Sequence, residues 1–149
     1  MRLETIENLT RDRDLAARHI QFLSAERDKL KNKPEQLTAD ESLRLKEIET
    51  RLADVKIYFA QLEPQLQAAI VKLSQKIRQM EDKQQSLILF EKYILLKPMR
   101  TIAEKLHLNI TAAYNMHSKA RDAYNTAQGI PLYKDSRGRK KWCDQWNID

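Results

Sequence analysis

Apolar side chains recur every three or four positions through the first 80 residues, which is the spacing of helices that bury one face. In the first of two groups of apolar positions, Arg13 and Arg27 occupy heptad positions that would otherwise be apolar. The second group keeps heptad spacing almost without interruption. This pattern predicts two long helices. The apolar positions are Ile6, Leu9, Ala16, Ile20, Leu23 and Leu30 in the first helix, then Leu45, Ile48, Leu52, Val55, Phe59, Leu62, Leu66, Ala69, Leu73, Ile77 and Met80 in the second.

Proline and capping residues predict where these helices begin and end. The first should end by Lys31, because Pro34 lies at the centre of the following stretch and cannot continue a helix. Thr38 and Glu41 have capping-box spacing, in which each side chain accepts a hydrogen bond from the other's backbone N–H, so the second helix should begin there. Pro64 should kink or break the second helix. Because the heptads continue beyond Pro64, we expect the apolar face to continue along the same direction, and we do not expect a hinge between domains there.

Two arrangements fit the heptads equally well. In a helical hairpin the two helices of one chain cover each other's apolar seam, whereas in an intermolecular coiled coil another chain covers it. The two arginines in the first seam suit a hairpin or a specific pairing better than an all-apolar zipper. Either arrangement makes residues 1–84 a helical arm for self-association or for binding a partner.

A second pattern follows a charged, apolar-poor stretch at residues 75–85, where we place a soft domain boundary. An apolar helix should stop before Pro98, since the residue before a proline avoids helical geometry. A short helix over residues 99–106 should follow, because proline suits the first turn of a helix. The apolar helix contains Leu87, Phe90, Tyr93 and Ile94, and the inward positions of the short helix would be Ile102, Ala103 and Leu106.

A third helix should begin after a turn at His107 and Leu108. Asn109 is a suitable N-cap, because its side-chain oxygen can accept a hydrogen bond from a free backbone N–H. Small Ala103 and Ala113 would let the short helix and the third helix cross closely. A short helix, a tight turn and a second helix that crosses it form a helix-turn-helix. The buried face of the third helix would consist of Ala113, Met116 and Ala120.

This stretch, residues 85–124, resembles region 4 of bacterial sigma factors and the small phage and mobile-element transcription regulators of the ArpU/RinA type that carry the same module. The resemblance implies a DNA-binding helix-turn-helix in a transcription regulator of a bacterial host. The chain departs from the family pattern at His107, where glycine is common, and in lacking the usual arginines on the recognition helix. The residues that carry the resemblance are Lys92, Tyr93, Pro98, Ile102, Ala103, Leu106, Asn109, Ala113, Met116 and Ala120.

The outward face of the third helix holds the side chains that would read bases. Asparagine can pair with adenine in the major groove, and the methyl groups of threonine and alanine can contact the thymine methyl. This set predicts a preference for sites that contain A·T pairs. The outward residues are Thr111, Ala112, Asn115, Ser118 and Lys119, with Ile110 and Tyr114 at the margins, and the candidates for phosphate contact are Arg100, Lys105, Lys119 and Arg121.

Composition and charge agree with a helical chain that has an anionic partner. Two glycines and four prolines in 149 residues are too few for the turns that sheets need. The net charge of +6 is uneven, since residues 1–84 carry 16 basic and 15 acidic side chains while residues 85–149 carry 11 and 6. A basic surplus on and after the helix-turn-helix is what a polyanion requires, although solubility alone is the other explanation.

The segment after the third helix, residues 127–149, is predicted to be a basic aromatic tail. Gly129 and Pro131 end regular helix, and four basic residues lie beside Trp142 and Trp146. Basic side chains next to aromatic rings can hold phosphates and stack on bases, but the two tryptophans could equally pack the tail onto the helices. The four basic residues are Arg137, Arg139, Lys140 and Lys141.

No pattern in the sequence indicates catalysis, a cofactor or a metal site. The three histidines lack a Cys, His or carboxylate partner at ligand spacing, and neither a glycine-rich phosphate loop nor a nucleophile elbow occurs. No apolar run of about eighteen residues predicts a membrane span, and the N-terminus lacks the apolar segment of a signal peptide. The single cysteine, Cys143, suits a reducing cytoplasm.

We therefore predict an all-α protein with a long helical hairpin or coiled coil at residues 1–84, a helix-turn-helix domain at residues 85–126 and a basic tail at residues 127–149. The predicted function is sequence-specific binding of double-stranded DNA by a transcription regulator that dimerises through its N-terminal helices. One alternative is a coiled-coil structural or adaptor protein whose C-terminal helices only pack. Another is a module that contacts RNA polymerase, or a second regulator, and reads DNA weakly.

Overall fold

The computed structural model of the chain describes the backbone of residues 1–134 and 140–142 and the side chains as far as residue 131. Five α-helices, one π-helical segment and two short antiparallel strands occur in this described part. The prediction of a mainly helical fold with a long N-terminal hairpin is confirmed. The helices are α1 (Thr5–Lys31), α2 (Ala39–Arg78), α3 (Lys83–Leu89), α4 (Met99–Lys105) and α5 (Ile110–Ala127), the π-helical segment is Phe90–Ile94, and the strands are β1 (Leu132–Lys134) and β2 (Lys140–Trp142).

The chain divides into two compact units, and the division falls inside α1 and α2. We call Asn8–Gln67 the arm unit, and Met1–Glu7 together with Ala68–Asp149 the C-terminal unit. The C-terminal unit is thus larger than the helix-turn-helix segment that the sequence indicated, because it includes the first residues of the chain and the last turns of α2. α2 ends at Arg78 and α3 begins at Lys83, inside the stretch where the sequence placed a soft domain boundary. The two compact units divide earlier, after Gln67.

The arm unit is a hairpin in which α1 and α2 cover each other's seam. Leu23, Ile48 and Leu52 are buried at its centre, with Ile20, Leu30 and Val55 packed against them. The hairpin alternative for the heptads is therefore correct for this seam, and Arg13, which interrupts the apolar track, is paired with an acid. Ion pairs between the two helices are Arg13–Glu63 at 3.3 Å, Arg44–Glu26 at 3.2 Å and Lys31–Glu49 at 3.2 Å.

The start of α2 matches the predicted capping box. The Thr38 hydroxyl accepts a hydrogen bond from the Glu41 backbone N–H at 3.2 Å, and the Glu41 carboxylate accepts one from the Thr38 N–H at 3.3 Å. Each side chain thus satisfies a backbone donor that has no partner inside the helix.

The predicted break at Pro64 is wrong, because α2 continues through it as a single helix of 40 residues. Proline inside a helix costs about 3 kcal/mol or more, because it lacks a backbone N–H and its ring clashes with the carbonyl four residues earlier. Leu62 and Leu66, on either side, are only 3% and 4% exposed. Burial of one leucine side chain contributes about 1.5–3 kcal/mol, so burial of both leucines offsets this cost.

The C-terminal unit has its own core. Leu73 and Ile77 at the end of α2, Ile88 and Leu89 of α3, and Ile102 of α4 are all fully buried. The start of the chain is tied to this unit, because the Tyr124 hydroxyl of α5 donates a hydrogen bond to the Met1 carbonyl at 2.6 Å. None of the described helices combines the length and the hydropathy of a membrane-spanning segment.

Candidate nucleic-acid interface

The helix before the predicted helix-turn-helix is in two parts. Asp82 caps α3, since its side chain accepts hydrogen bonds from the Gln84 and Gln85 N–H groups at 3.0 and 3.1 Å. The helix then widens into the π-helical segment, Phe90–Ile94. Before this segment, Leu87 is 38% exposed while Ile88 and Leu89 are buried.

A buried carboxylate links the π-helical segment to α4. Glu91 is only 2% exposed, and it forms ion pairs with Lys105 and with Lys97, whose ammonium lies 2.7 Å from the carboxylate. Hydrogen bonding to Lys105, and then to Lys97, holds the pKa of Glu91 below its usual range. Sequence reasoning missed this group, and the only signal for it is a single acid inside the apolar stretch of residues 87–96.

The turn between α4 and α5 depends on a residue in the left-handed region. His107 has φ of +55°, which glycine adopts without strain. The turn is closed by the Leu108 N–H, which donates to the Ala103 carbonyl at 2.9 Å. Asn109 then caps α5 as predicted, because its side-chain oxygen accepts from the Ala112 N–H at 2.7 Å.

The inner face of α5 packs against α3 and α4. Ala113 and Ala120 are fully buried and Met116 is half-buried, which agrees with the predicted stripe. On α4, Ala103 is 4% exposed, so small residues lie on the buried sides of both helices of the pair. The buried stripe continues to Tyr124, beyond the residues that the sequence indicated.

The outer face of α5 carries the residues predicted to read bases. Ile110 is 45% exposed and Tyr114 is 53% exposed, so both contribute apolar surface to this face. Ala112 is half-buried, so it contributes less to the face than expected. The other exposed members are Thr111, Asn115, Ser118 and Lys119.

The four predicted phosphate-contacting residues differ in their exposure and in whether an acidic residue already pairs with them. Arg100 and Lys119 are exposed, although Arg100 lies 4.0 Å from the Glu104 carboxylate. Lys105 is half-exposed, and its charge is matched by Glu91. Arg121 is half-buried, and its Nε is buried without a hydrogen-bond partner among the described residues. Arg100 and Lys119 therefore remain the best placed of the four.

The predicted basic tail lies only partly in the described chain. Lys140 and Lys141 belong to β2, where they pair with Lys134 and Tyr133 of β1. The sequence did not indicate this two-stranded ribbon. Arg137, Arg139 and Trp146 lie outside the described residues.

Charge is concentrated in one unit. The arm unit has 11 basic and 11 acidic side chains, whereas the C-terminal unit has 16 and 10. The entire net charge of +6 therefore belongs to the unit that contains α4 and α5.

Among the described residues, no group of three or more His, Cys, Asp or Glu side chains could hold a metal ion.

Comparison of the chain with models of known protein families, with curated proteins and with solved structures gives no match. The resemblance to sigma region 4 and to ArpU/RinA-type regulators therefore stays a prediction from sequence.

Proposed function

We propose that the protein is a transcription regulator whose C-terminal unit binds double-stranded DNA with α5 in the major groove. The observation that carries the proposal is the outer face of α5. It exposes polar and methyl-bearing side chains in the unit that holds all the net positive charge, while the inner face is fixed by packing against α3 and α4. A helix held in this way is what direct readout of bases requires.

The dimensions and chemistry of α5 support this role. Its 18 residues give a length of about 27 Å, and a B-DNA major groove is about 12 Å wide, which admits one helix. Thr111 and Asn115 are one helical turn apart on the exposed face. The threonine methyl can contact thymine, and the asparagine amide can pair with the N6 and N7 atoms of adenine, so the preferred site should contain A·T pairs.

Backbone contacts would come from the exposed cations. Lys119 lies one turn after Asn115 on α5, and Arg100 lies in the first turn of α4. Phosphate contacts of this kind orient a protein on the duplex without reading sequence. Lys105 is a weaker candidate, because a contact with phosphate would compete with its ion pair to buried Glu91.

One observation favours a second candidate function. Ile110 and Tyr114 expose apolar surface on the same face of α5, and exposed aromatic and aliphatic residues are typical of protein contacts. A module that contacts RNA polymerase or another regulator through this face, and reads DNA weakly, would use the same residues.

The sequence resemblance implies a regulator of phage or mobile-element genes. In that role the protein would act in the cytoplasm of a bacterial cell.

Selection of bound duplexes from a random pool tests the proposal. Repeated rounds with the full-length protein should enrich an A·T-containing motif, and the same selection with Asn115→Ala should lose the preference at one base pair. A pool that stays unenriched would contradict sequence-specific binding and would favour the adaptor or polymerase-contact function.

A further inference from the structure

One side of the arm unit carries a cavity with apolar side chains around its rim. The cavity has a volume of about 360 Å³ and lies between α1 and α2. At its rim, Leu15 is 54% exposed and Tyr58 is 48% exposed. Its lining consists of Asp12, Leu15, Ala16 and His19 from α1 and Asp54, Val55 and Tyr58 from α2.

The same side of each helix extends beyond the cavity. Phe22 lies seven residues after Leu15, so it is on the same face of α1, and it is 63% exposed. Arg51 lies seven residues before Tyr58, on the same face of α2. We call these residues together with the cavity lining the cavity face. All of them lie within the arm unit.

Charges on the cavity face are unpaired. Among the described residues, neither Arg51 nor Asp54 has an ion pair or hydrogen-bond partner, although they are one helical turn apart. Farther along the hairpin, Arg44 pairs with Glu26 at 3.2 Å, so ion pairs do form there between the helices. An unpaired cation and an unpaired anion one turn apart are a self-complementary arrangement, because a two-fold axis between them would place each opposite the other.

We propose that two copies of the chain pair through the cavity face. The two hairpins would run antiparallel about a two-fold axis perpendicular to the helices. Arg51 of each copy would then meet Asp54 of the other, and the exposed rings of Phe22 and Tyr58 would be covered by the second copy. Aromatic side chains are enriched in such interfaces, and an isologous pair needs only one self-complementary patch.

The net charge of the arm unit does not oppose pairing with a second copy. The arm unit has equal numbers of basic and acidic side chains, so two arm units have no net charge repulsion. The heptad seam of the hairpin is already covered within the chain, and a dimer therefore needs another face. Self-association here deepens the proposed function, on which it rests, because two copies would present two copies of α5 to two half-sites.

Sedimentation velocity of the full-length protein over a concentration series tests the pairing. The wild type should be a dimer at micromolar concentration, and Phe22→Ser should weaken the dimer at least about tenfold. The control is Ile57→Ser, because Ile57 is 59% exposed but does not line the cavity, and it should leave the dimer within about twofold of wild type. A monomeric wild type, or equal effects of the two variants, would overturn the proposal.

A charge exchange tests the two-fold pairing itself. Arg51→Asp alone should weaken the dimer, and Arg51→Asp combined with Asp54→Arg should restore it. The control is Lys56→Glu, on the opposite side of α2, which should have little effect. All three positions are exposed, and circular dichroism should show unchanged helix content. A double variant that stays as weak as Arg51→Asp alone would contradict the pairing.

DNA selection separates this proposal from the proposed function. A wild-type monomer that still enriches a motif would overturn the dimer and leave DNA recognition standing. A wild-type dimer that responds to the variants as expected, but enriches no motif, would support the dimer and contradict DNA recognition.

Discussion

Tyr93 and His117 lie within hydrogen-bond distance, with the tyrosine hydroxyl 2.7 Å from Nε2 and the ring centroids 5.6 Å apart. The pair joins the π-helical segment to α5, the helix that carries the candidate reading face. Burial, together with the charges of Arg121 and Lys92, lowers the pKa of His117 to about 4. The uncharged imidazole can accept a hydrogen bond from the Tyr93 hydroxyl, so the placement of α5 depends in part on a group that stays neutral.

His117 should make stability depend on pH between about 6.5 and 4. An unfolded histidine binds its proton near pH 6.5, whereas His117 in the folded protein binds one only near pH 4. The unfolded state therefore holds more protons in this window, and the free energy of unfolding falls as the pH drops through it. Above about pH 6.5 the contribution of neutral His117 to the free energy of unfolding is fully present.

Denaturant unfolding at pH 7 and pH 5 measures this effect. The wild type should lose stability between the two pH values, and His117→Gln should lose less, because glutamine does not titrate. The control is His107→Asn, since His107 is exposed, lies outside the cavity face and has a left-handed φ that asparagine also tolerates, so the pH dependence of the wild type should be unchanged. Equal losses for wild type and His117→Gln would show that His117 does not control this window.

Glu91 should be a strong determinant of the stability of the C-terminal unit. Glu91→Gln removes the negative charge between Lys97 and Lys105 and should lower the free energy of unfolding by about 2 kcal/mol. Glu104→Gln is the control, because Glu104 is exposed and lies 4.0 Å from Arg100, a surface pair that contributes about 0–1 kcal/mol. Thermal unfolding of both variants makes the comparison, and equal losses would contradict a structural role for the buried carboxylate.

The stabilising contribution of Glu91 should be lost at lower pH than that of His117. The pKa of Glu91 is lowered by Lys105 and Lys97, so its contribution is present above the usual carboxylate pKa and is lost as the pH falls below it. The pH 5 to 7 range therefore reports mainly on His117.

The left-handed turn at His107 should respond to side-chain shape. His107→Gly should raise the free energy of unfolding by up to about 1 kcal/mol, since glycine adopts a φ of +55° without strain. His107→Val should lower it by about 1–2 kcal/mol, because a branched side chain disfavours this region. Denaturant unfolding measures both variants, and the opposite order would mean that the His107 side chain stabilises the turn.

Local chemistry made part of the fold predictable. The heptads of α2 continue along most of the helix, and every predicted inward position from Leu45 to Met80 is buried or half-buried. The caps at Thr38 and Asn109 follow from a hydrogen bond within three residues, which sequence specifies directly. The outer face of α5 then follows from helical periodicity once Ala113 and Ala120 point inward.

Other features depend on residues far apart in sequence. Glu91 and Lys105 are 14 positions apart, and Tyr93 and His117 are 24 apart, so no local spacing indicates either pair. The break expected at Pro64 was wrong because a local rule was outweighed by burial along the seam. The π-helical segment at Phe90–Ile94 is likewise not revealed by helical periodicity.

The basic tail should add affinity without sequence preference. Replacing its four basic residues with glutamine removes up to four phosphate contacts, so the slope of log K against log salt should become shallower by up to about 0.9 for each phosphate that is no longer bound. The preferred motif should stay the same. An unchanged slope would mean that the tail does not touch DNA. The four residues are Arg137, Arg139, Lys140 and Lys141.

The most direct test of DNA recognition compares two exposed residues one turn apart on α5, Asn115 and Lys119. Titrations with the selected site and with random duplex should be made for each alanine variant, with circular dichroism as the folding control. Asn115→Ala should cost about 1–3 kcal/mol on the selected site, relax the choice at one base pair and leave random DNA almost unchanged. Lys119→Ala should weaken both duplexes alike, because a phosphate carries no sequence information. If Asn115→Ala instead loses affinity equally for all DNA, or for none, α5 does not read bases through this face.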